Sequence, residues 1–213
     1  MAKVLIVDPF PAAREGLAAR MAPHLDLRVC GEVGGMDEAM DLVRNTSPDV
    51  VVLDVDLKAG NGLELIHRIR AHDKSIRILV WSMYPDTVYA PRALQAGALG
   101  YVHKQNPTEQ IVEAIRDVRD GRIYLSEAMS QRWLGHAVGV RHLKPTGVES
   151  LSDCELEVFR LIGQGVSTQQ IAHRLHRSHH TVEAHRQAIK RKLNLHTAAE
   201  LNRAAVQWTL EDG

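Results

Sequence analysis

Four apolar residues, Val50, Val51, Val52 and Leu53, run straight into an aspartate in the stretch VVVLDVDL. An unbroken apolar run of this length suits a strand buried on both faces of a parallel sheet, where helices cover both sides and no position meets water. Asp54 and Asp56 then emerge at the C-terminal end of the strand, where open α/β sheets gather their chemistry.

The first 120 residues repeat that theme. Strand-like runs occur at KVLIVD, LRVCGEV, VVVLDVD, RILVWS and LGYVHK, and helical stretches at AAREGLAARMA, MDEAMDLVRN, GLELIHRIRAH, DTVYAPRALQAG and PTEQIVEAIRDVRDG fall between and after them. In the last stretch Ile111, Val112, Ile115 and Val118 recur at helical spacing, Pro107 suits the first turn and Gly121 a C-terminal cap. Alternation of this kind builds a five-stranded, doubly wound parallel sheet. Residues 122–150 break the pattern with Gly135, Gly139, Pro145, Gly147 and Ser150, and read as an interdomain linker with a short helix around SEAMSQRWLGH. From Leu151 onward four short helices are expected. The first opens with Ser152 and Glu155 at capping-box spacing, so the chain is an α/β domain over 1–121, a linker, and a small all-α domain over 151–213.

The whole chain of 213 residues balances 26 basic against 26 acidic side chains, so no global field announces nucleic acid or membrane, and any basic patch must be local. The apolar run before Asp8 is too short for a signal peptide or a spanning helix. Cys30 and Cys154 are far apart in sequence and read as small buried hydrophobes in a reducing, cytoplasmic setting.

In order and at these intervals, VLIVDPFPAAREGL, LDVDLKAGNGLEL, ILVWSM and AGALGYVHK, followed by LSDCELEVFRLIGQGVSTQQIAHRLHRSHHTVEAHRQAIKRKLNL, resemble a two-component response regulator of the NarL/FixJ family. The first part is similar to a flavodoxin-like receiver domain and the second to a LuxR-type helix-turn-helix. That resemblance implies a cytoplasmic, DNA-binding transcription regulator, not an enzyme, phosphorylated on Asp54 by a histidine kinase and working as a homodimer on double-stranded DNA. It also implies Mg2+ held by Asp8, Asp54 and Asp56, with Lys104 pairing the phosphoryl group, Ser82 bonding it, and Tyr101 as the aromatic switch. Such chemistry needs a nucleophilic carboxylate, a hard cation, and donors for the phosphoryl oxygens. Gly62 occupies the family's glycine position.

The chain departs from the family at Pro9, where a second acid usually contacts the metal. Proline offers no oxygen side chain, so Mg2+ is expected to be weakened or absent, and Asp56 is a candidate for partial compensation. Lys58 replaces the family's proline and could reach the pocket mouth. The alternative is therefore a degenerate receiver that regulates DNA binding without phosphate, through a partner or ligand. Taken singly, Asp54 and Asp56 read equally as a polar strand end, Ser82 as a satisfied hydroxyl, Lys104 as a solvated residue and Tyr101 as core. The DVD segment also resembles that of haloacid-dehalogenase-type phosphatases, but those need a distal acidic pair and a larger core.

Residues 151–208 carry eight Lys and Arg against five Asp and Glu. The most basic helix, TVEAHRQAIKRK, suits a recognition helix, which reads bases with its N-terminal residues and touches phosphates with flanking cations. By resemblance, the DNA-binding candidates are Thr168, Thr181, Val182 (a packing position), Glu183, Ala184, His185, Arg186, Gln187, Lys190, Arg191 and Lys192. Glu183 stands where relatives often carry a cation; it could accept from cytosine N4, and Gln187 could pair with adenine. Six of the twelve histidines lie here, including His179 and His180, and read as exposed polar residues whose protonation would strengthen phosphate contact. Leu201, Ala205 and Trp208 suit either a core or a dimer face.

Overall fold

The computed structural model describes residues 1–57, 60–137 and 147–212. Strands β1 (Ala2–Val7), β2 (Leu27–Val33), β3 (Val50–Leu53), β4 (Arg77–Ser82) and β5 (Gly100–His103) form one parallel sheet in the order β2-β1-β3-β4-β5. Helices α1 (Pro11–Met21), α2 (Met36–Thr46), α3 (Gly62–His72), α4 (Asp86–Ala96) and α5 (Thr108–Arg119) alternate with the strands, as the two periodicities required.

The run that suggested a doubly covered strand is one: Val50, Val51, Val52 and Leu53 are all buried. Val4, Ile6, Val50, Val52, Leu79 and Val102 pack against Leu17 and Met21 of α1 and Ile111, Val112, Ile115 and Val118 of α5. Each such side chain taken from water contributes about 1.5–3 kcal/mol, so strand order and helix placement are fixed together. The C-terminal ends of β1, β3, β4 and β5 thereby converge, with β1 and β4 flanking β3. The turn from β3 into α3 closes tightly. Asn61 caps α3 by accepting the Leu63 N–H at 2.8 Å, and a Cβ on Gly62 would meet the Asp54 carbonyl at 2.3 Å, so only glycine fits beside the aspartate.

Residues after α5 run alongside the sheet before leaving it. The Tyr101 N–H donates to the Tyr124 carbonyl and the Tyr124 N–H to the Leu99 carbonyl, each at 3.0 Å, beside β5. Helix α6 (Glu127–Ala137) buries Met129, and the Ser126 hydroxyl donates to Asp86 at 2.6 Å. Compact units span Met1–Trp133 and Leu134–Gly213, so the opening of the expected linker travels with the sheet domain. Part of that linker, 138–146, lies outside the described residues.

The second unit is helical: a 3-10 turn (Gly147–Ser150), then α7 (Asp153–Gly163), α8 (Thr168–Arg174), α9 (His179–Lys192) and α10 (Ala198–Asp212). The expected capping box at Ser152 and Glu155 is present with both arms, and Ser167 with Gln170 forms a second at α8. Phe159 packs on Trp208 with ring centroids 5.8 Å apart, and Leu201, Ala205 and Trp208 are all buried inside the domain. One expectation is corrected. Cys154 is exposed, because it sits in the first turn of α7 on the side facing solvent, and Cys30 is only half-buried.

Candidate functional site: an acid pocket and a basic helix

At the C-terminal ends of the strands, Asp8, Asp54, Ser82 and Lys104 come together. The Lys104 ammonium bridges Asp8 Oδ2 and Asp54 Oδ2, each at 2.5 Å, with a lysine side chain only 9% exposed. Ser82 Oγ donates to Asp54 Oδ1 at 2.6 Å, and that oxygen also accepts the Asp56 N–H at 3.3 Å. Asp8 Oδ1 accepts the Phe10 N–H at 2.8 Å, where the chain enters α1. Every carboxylate oxygen of Asp8 and Asp54 therefore already accepts a bond. Burial pushes the Asp8 carboxyl up, and the bond and charge of Lys104 pull only part of the way back.

Tyr101 lies inward, 2% exposed, with its phenol donating to the Tyr84 carbonyl at 2.7 Å and burial raising it well above the usual range. The Tyr84 hydroxyl in turn donates to Asp56 Oδ2 at 3.4 Å. The Lys104 N–H donates to the Ser82 carbonyl at 2.8 Å, which holds the lysine's loop against β4. Two rings flank the ammonium: Trp81 at 5.1 Å and Phe10 at 5.9 Å from centroid to nitrogen. Trp81, Phe10 and Tyr84 escaped the sequence reading, although each is a neighbour or near neighbour of a residue it singled out. Lys58 lies outside the described residues.

Asp56 is kept at the rim by Tyr84, Pro9 contributes no oxygen, and Lys104 takes one oxygen from each inner aspartate. Among the described residues no three His, Cys, Asp or Glu side chains are grouped so as to hold a metal ion. Mg2+ demands near-ideal octahedral oxygens at about 2.0–2.1 Å. In this arrangement Lys104 stands on the Asp8 and Asp54 oxygens that such an ion would use, and Pro9 adds no ligand.

In the second unit α9 starts from Ser178, whose hydroxyl accepts the Thr181 N–H at 3.1 Å. Val182 and Ile189 are buried and seat the helix on the domain, while Ala184, Gln187 and Arg191 are exposed and His185 and Lys190 half-buried. Glu183 is held on both sides: Thr168 Oγ1 donates to it at 3.2 Å and Arg186 Nε lies 3.3 Å away. Lys192 is turned onto α7, with its ammonium 2.6 Å from Glu155 Oε2 and 3.2 Å from the Ser150 carbonyl. Burial acts upward on Glu155, but Lys192 and the Ser152 N–H hold it below its ordinary value. A buried pair, Arg160 and Glu157 at 2.6 Å, also went unforeseen within α7. His179 and His180 are exposed, as expected.

Residues 4–116 match the response regulator receiver domain family, and residues 149–205 match the bacterial regulatory proteins of the luxR family. A putative transcriptional regulator of Pseudomonas aeruginosa is 34% identical over 202 residues, 94% of this chain and 95% of that protein. A nitrate/nitrite response regulator protein homolog of Haemophilus influenzae is 31% identical over 195 residues, 92% and 91% of the two chains. The solved structure of RcsB from Salmonella enterica serovar Typhimurium, bound to promoter rprA with the phosphomimetic BeF3−, shares the fold, with a TM-score of 0.75 at 23% identity over 96% of this chain and 98% of that one. The chain belongs to the response regulators, combining a receiver with a LuxR-type helix-turn-helix, a family of transcription regulators. No helix among the described residues is long and apolar enough to cross a membrane.

Proposed function

We propose that this chain is a cytoplasmic regulator that binds double-stranded DNA through α9 as a homodimer, under control of the pocket around Asp54, and that it is not an enzyme. The observation that carries this reading is α9 itself. It begins at a capped N-terminus, buries Val182 and Ile189 beneath it, and presents Ala184, Gln187 and Arg191 outward with Lys190 beside them. A helix so seated can lay its first turns in a major groove and its cations along phosphates. Thr181 beside the cap and Thr168 of α8 flank the same end, and Thr168 and Arg186 restrain Glu183. Val206 and Leu210 of α10 are exposed apolar side chains, which supports pairing of two such domains on adjacent half-sites. We assign the receiver to 1–121, the linker to 122–150 and the DNA-binding domain to 151–213.

Two modes of control fit this architecture. In the first, a histidine kinase phosphorylates Asp54, with Mg2+ on Asp8, Asp54 and Asp56, Lys104 pairing the phosphoryl group, Ser82 bonding it and Tyr101 acting as the aromatic switch. The second is a receiver that regulates without phosphate, through a partner or ligand, and Pro9 together with the bridging position of Lys104 favours it.

DNA binding is tested by electrophoretic shift of the full chain on promoter-length duplexes across a salt series. Steep weakening with salt is expected, because each neutralised phosphate releases counterions. No shift at low salt would overturn the DNA-binding reading.

A further inference from the structure

We propose that the Lys104 ammonium is the resident cation of the receiver pocket, replacing a divalent metal, and that it holds Ser82 and Tyr101 in their inward setting without phosphate. The inference deepens the second mode of control and rests on reading the pocket as the control site.

Three observations converge on it. The ammonium is enclosed: Asp8 and Asp54 each give it an oxygen at 2.5 Å, and the rings of Trp81 and Phe10 stand 5.1 and 5.9 Å away. A cation on two buried carboxylates with aromatic walls is held by charge, hydrogen bonds and ring quadrupoles together. All four carboxylate oxygens of Asp8 and Asp54 are already engaged, two by Lys104 and two by the Phe10 N–H, Ser82 Oγ and Asp56 N–H, so an incoming cation would have to compete for them. A metal would have to displace Lys104 from both aspartates, and Pro9 supplies no additional carboxylate to help it compete. Finally, the switch residues are connected to the caged ion. Lys104 fixes Asp54, Asp54 takes the Ser82 hydroxyl, and Tyr101 bonds Tyr84, whose own hydroxyl returns to Asp56. The inward setting of Ser82 and Tyr101 is thus satisfied by protein groups alone.

The test uses the full chain, as wild type, Lys104→Met and Pro9→Asp. Each is titrated with Mg2+ while the receiver's thermal midpoint and tryptophan emission are followed; Trp81 beside the pocket supplies the local signal. The expectation for wild type is no shift in either readout at millimolar Mg2+. Lys104→Met should melt lower, and Mg2+ should restore much of the loss, because two facing carboxylates are then left without a cation. Pro9→Asp should gain a saturable Mg2+ response. Should Lys104→Met fail to fold, the comparison of wild type with Pro9→Asp still decides. A wild-type response to Mg2+ equal to that of Pro9→Asp overturns the proposal, as does a folded Lys104→Met that ignores Mg2+. DNA affinity of wild type should change less than about threefold on adding Mg2+ and acetyl phosphate, and a gain of tenfold or more overturns the switch part. Absence of DNA binding under every condition would instead refute the DNA-binding reading, and the metal titration would judge the pocket independently.

Discussion

Replacing Lys192 with alanine separates two uses of a basic side chain on α9. Its ammonium lies 2.6 Å from Glu155 Oε2, with the lysine side chain 34% and the glutamate 9% exposed, and it also reaches the Ser150 carbonyl at 3.2 Å. After the substitution Glu155 keeps only the Ser152 N–H at 2.7 Å among these bonds. Partial exposure screens the pair, whereas the desolvated carboxylate raises the cost, so a loss of about 1–2 kcal/mol follows. In a domain of this size that lowers the melting midpoint by roughly 5–15 °C. Lys190 makes no ion pair among the described residues. Lys190→Ala should therefore hold stability to within about 0.5 kcal/mol. If Lys190 contacts one phosphate, it should also reduce the slope of log affinity against log salt by about 0.9. Circular dichroism melting and salt-series shift assays on both variants check this. A Lys192→Ala protein with an unchanged midpoint and a slope reduced like that of Lys190→Ala would refute the reasoning.

Arg160→Ala leaves Glu157 charged inside α7 without its 2.6 Å partner, and should cost about 3–5 kcal/mol in urea denaturation. The double variant Arg160→Leu, Glu157→Leu should recover most of that. Asp26 receives Arg116 and Arg119, and the Arg116 bond foremost holds its carboxyl far below the usual range. Its contribution is present above the unfolded carboxylate pKa and is lost as pH falls through the lower folded value. Asp26→Asn should accordingly lower receiver stability at pH 7 and flatten its decline below about pH 4, read from denaturation curves at several pH values.

The sheet was legible because one signal dominated: β1, β3 and β4 carry unbroken apolar runs, and the helices between strands follow a different period, whereas β2, with Arg28 and Glu32, is only partly apolar. The start of α7 was legible through its cap, since serine with glutamate three residues on is local chemistry, and the like pattern of Ser167 with Gln170 that opens α8 was missed. Asp8, Asp54, Ser82 and Lys104 were gathered into one pocket only through the family resemblance, because they come from four strand ends brought together by the strand order, and the walls Trp81 and Phe10 were missed. Lys192 and Arg186 counted as free cations in the sequence, yet each finds a carboxylate on the folded surface, as Arg160 does within it. These pairings cancel equal charge, so the excess of basic residues survives and is concentrated on side chains such as Arg174, Arg177, Lys190 and Arg191. A count of charges gives the sign of a domain's field, whereas only packing says which cations remain to meet a phosphate.

The same distinction explains how a proline can stand at position 9. Asp8 and Asp54 offer Lys104 oxygens no more than about 5 Å apart, and at an effective dielectric near 20 two such charges repel by about 3 kcal/mol. One ammonium between them leaves that pair with a single net negative charge, beside Asp56 at the rim. A further carboxylate at position 9 would add another, with no counter-ion unless a divalent cation entered. Loss of the acid and enclosure of the lysine are therefore two halves of one arrangement: Pro9 removes both the charge that would call for a metal and the ligand that would hold it. Restoring that acid, rather than deleting Lys104, is the substitution that should return metal dependence to the pocket with the least damage to its fold.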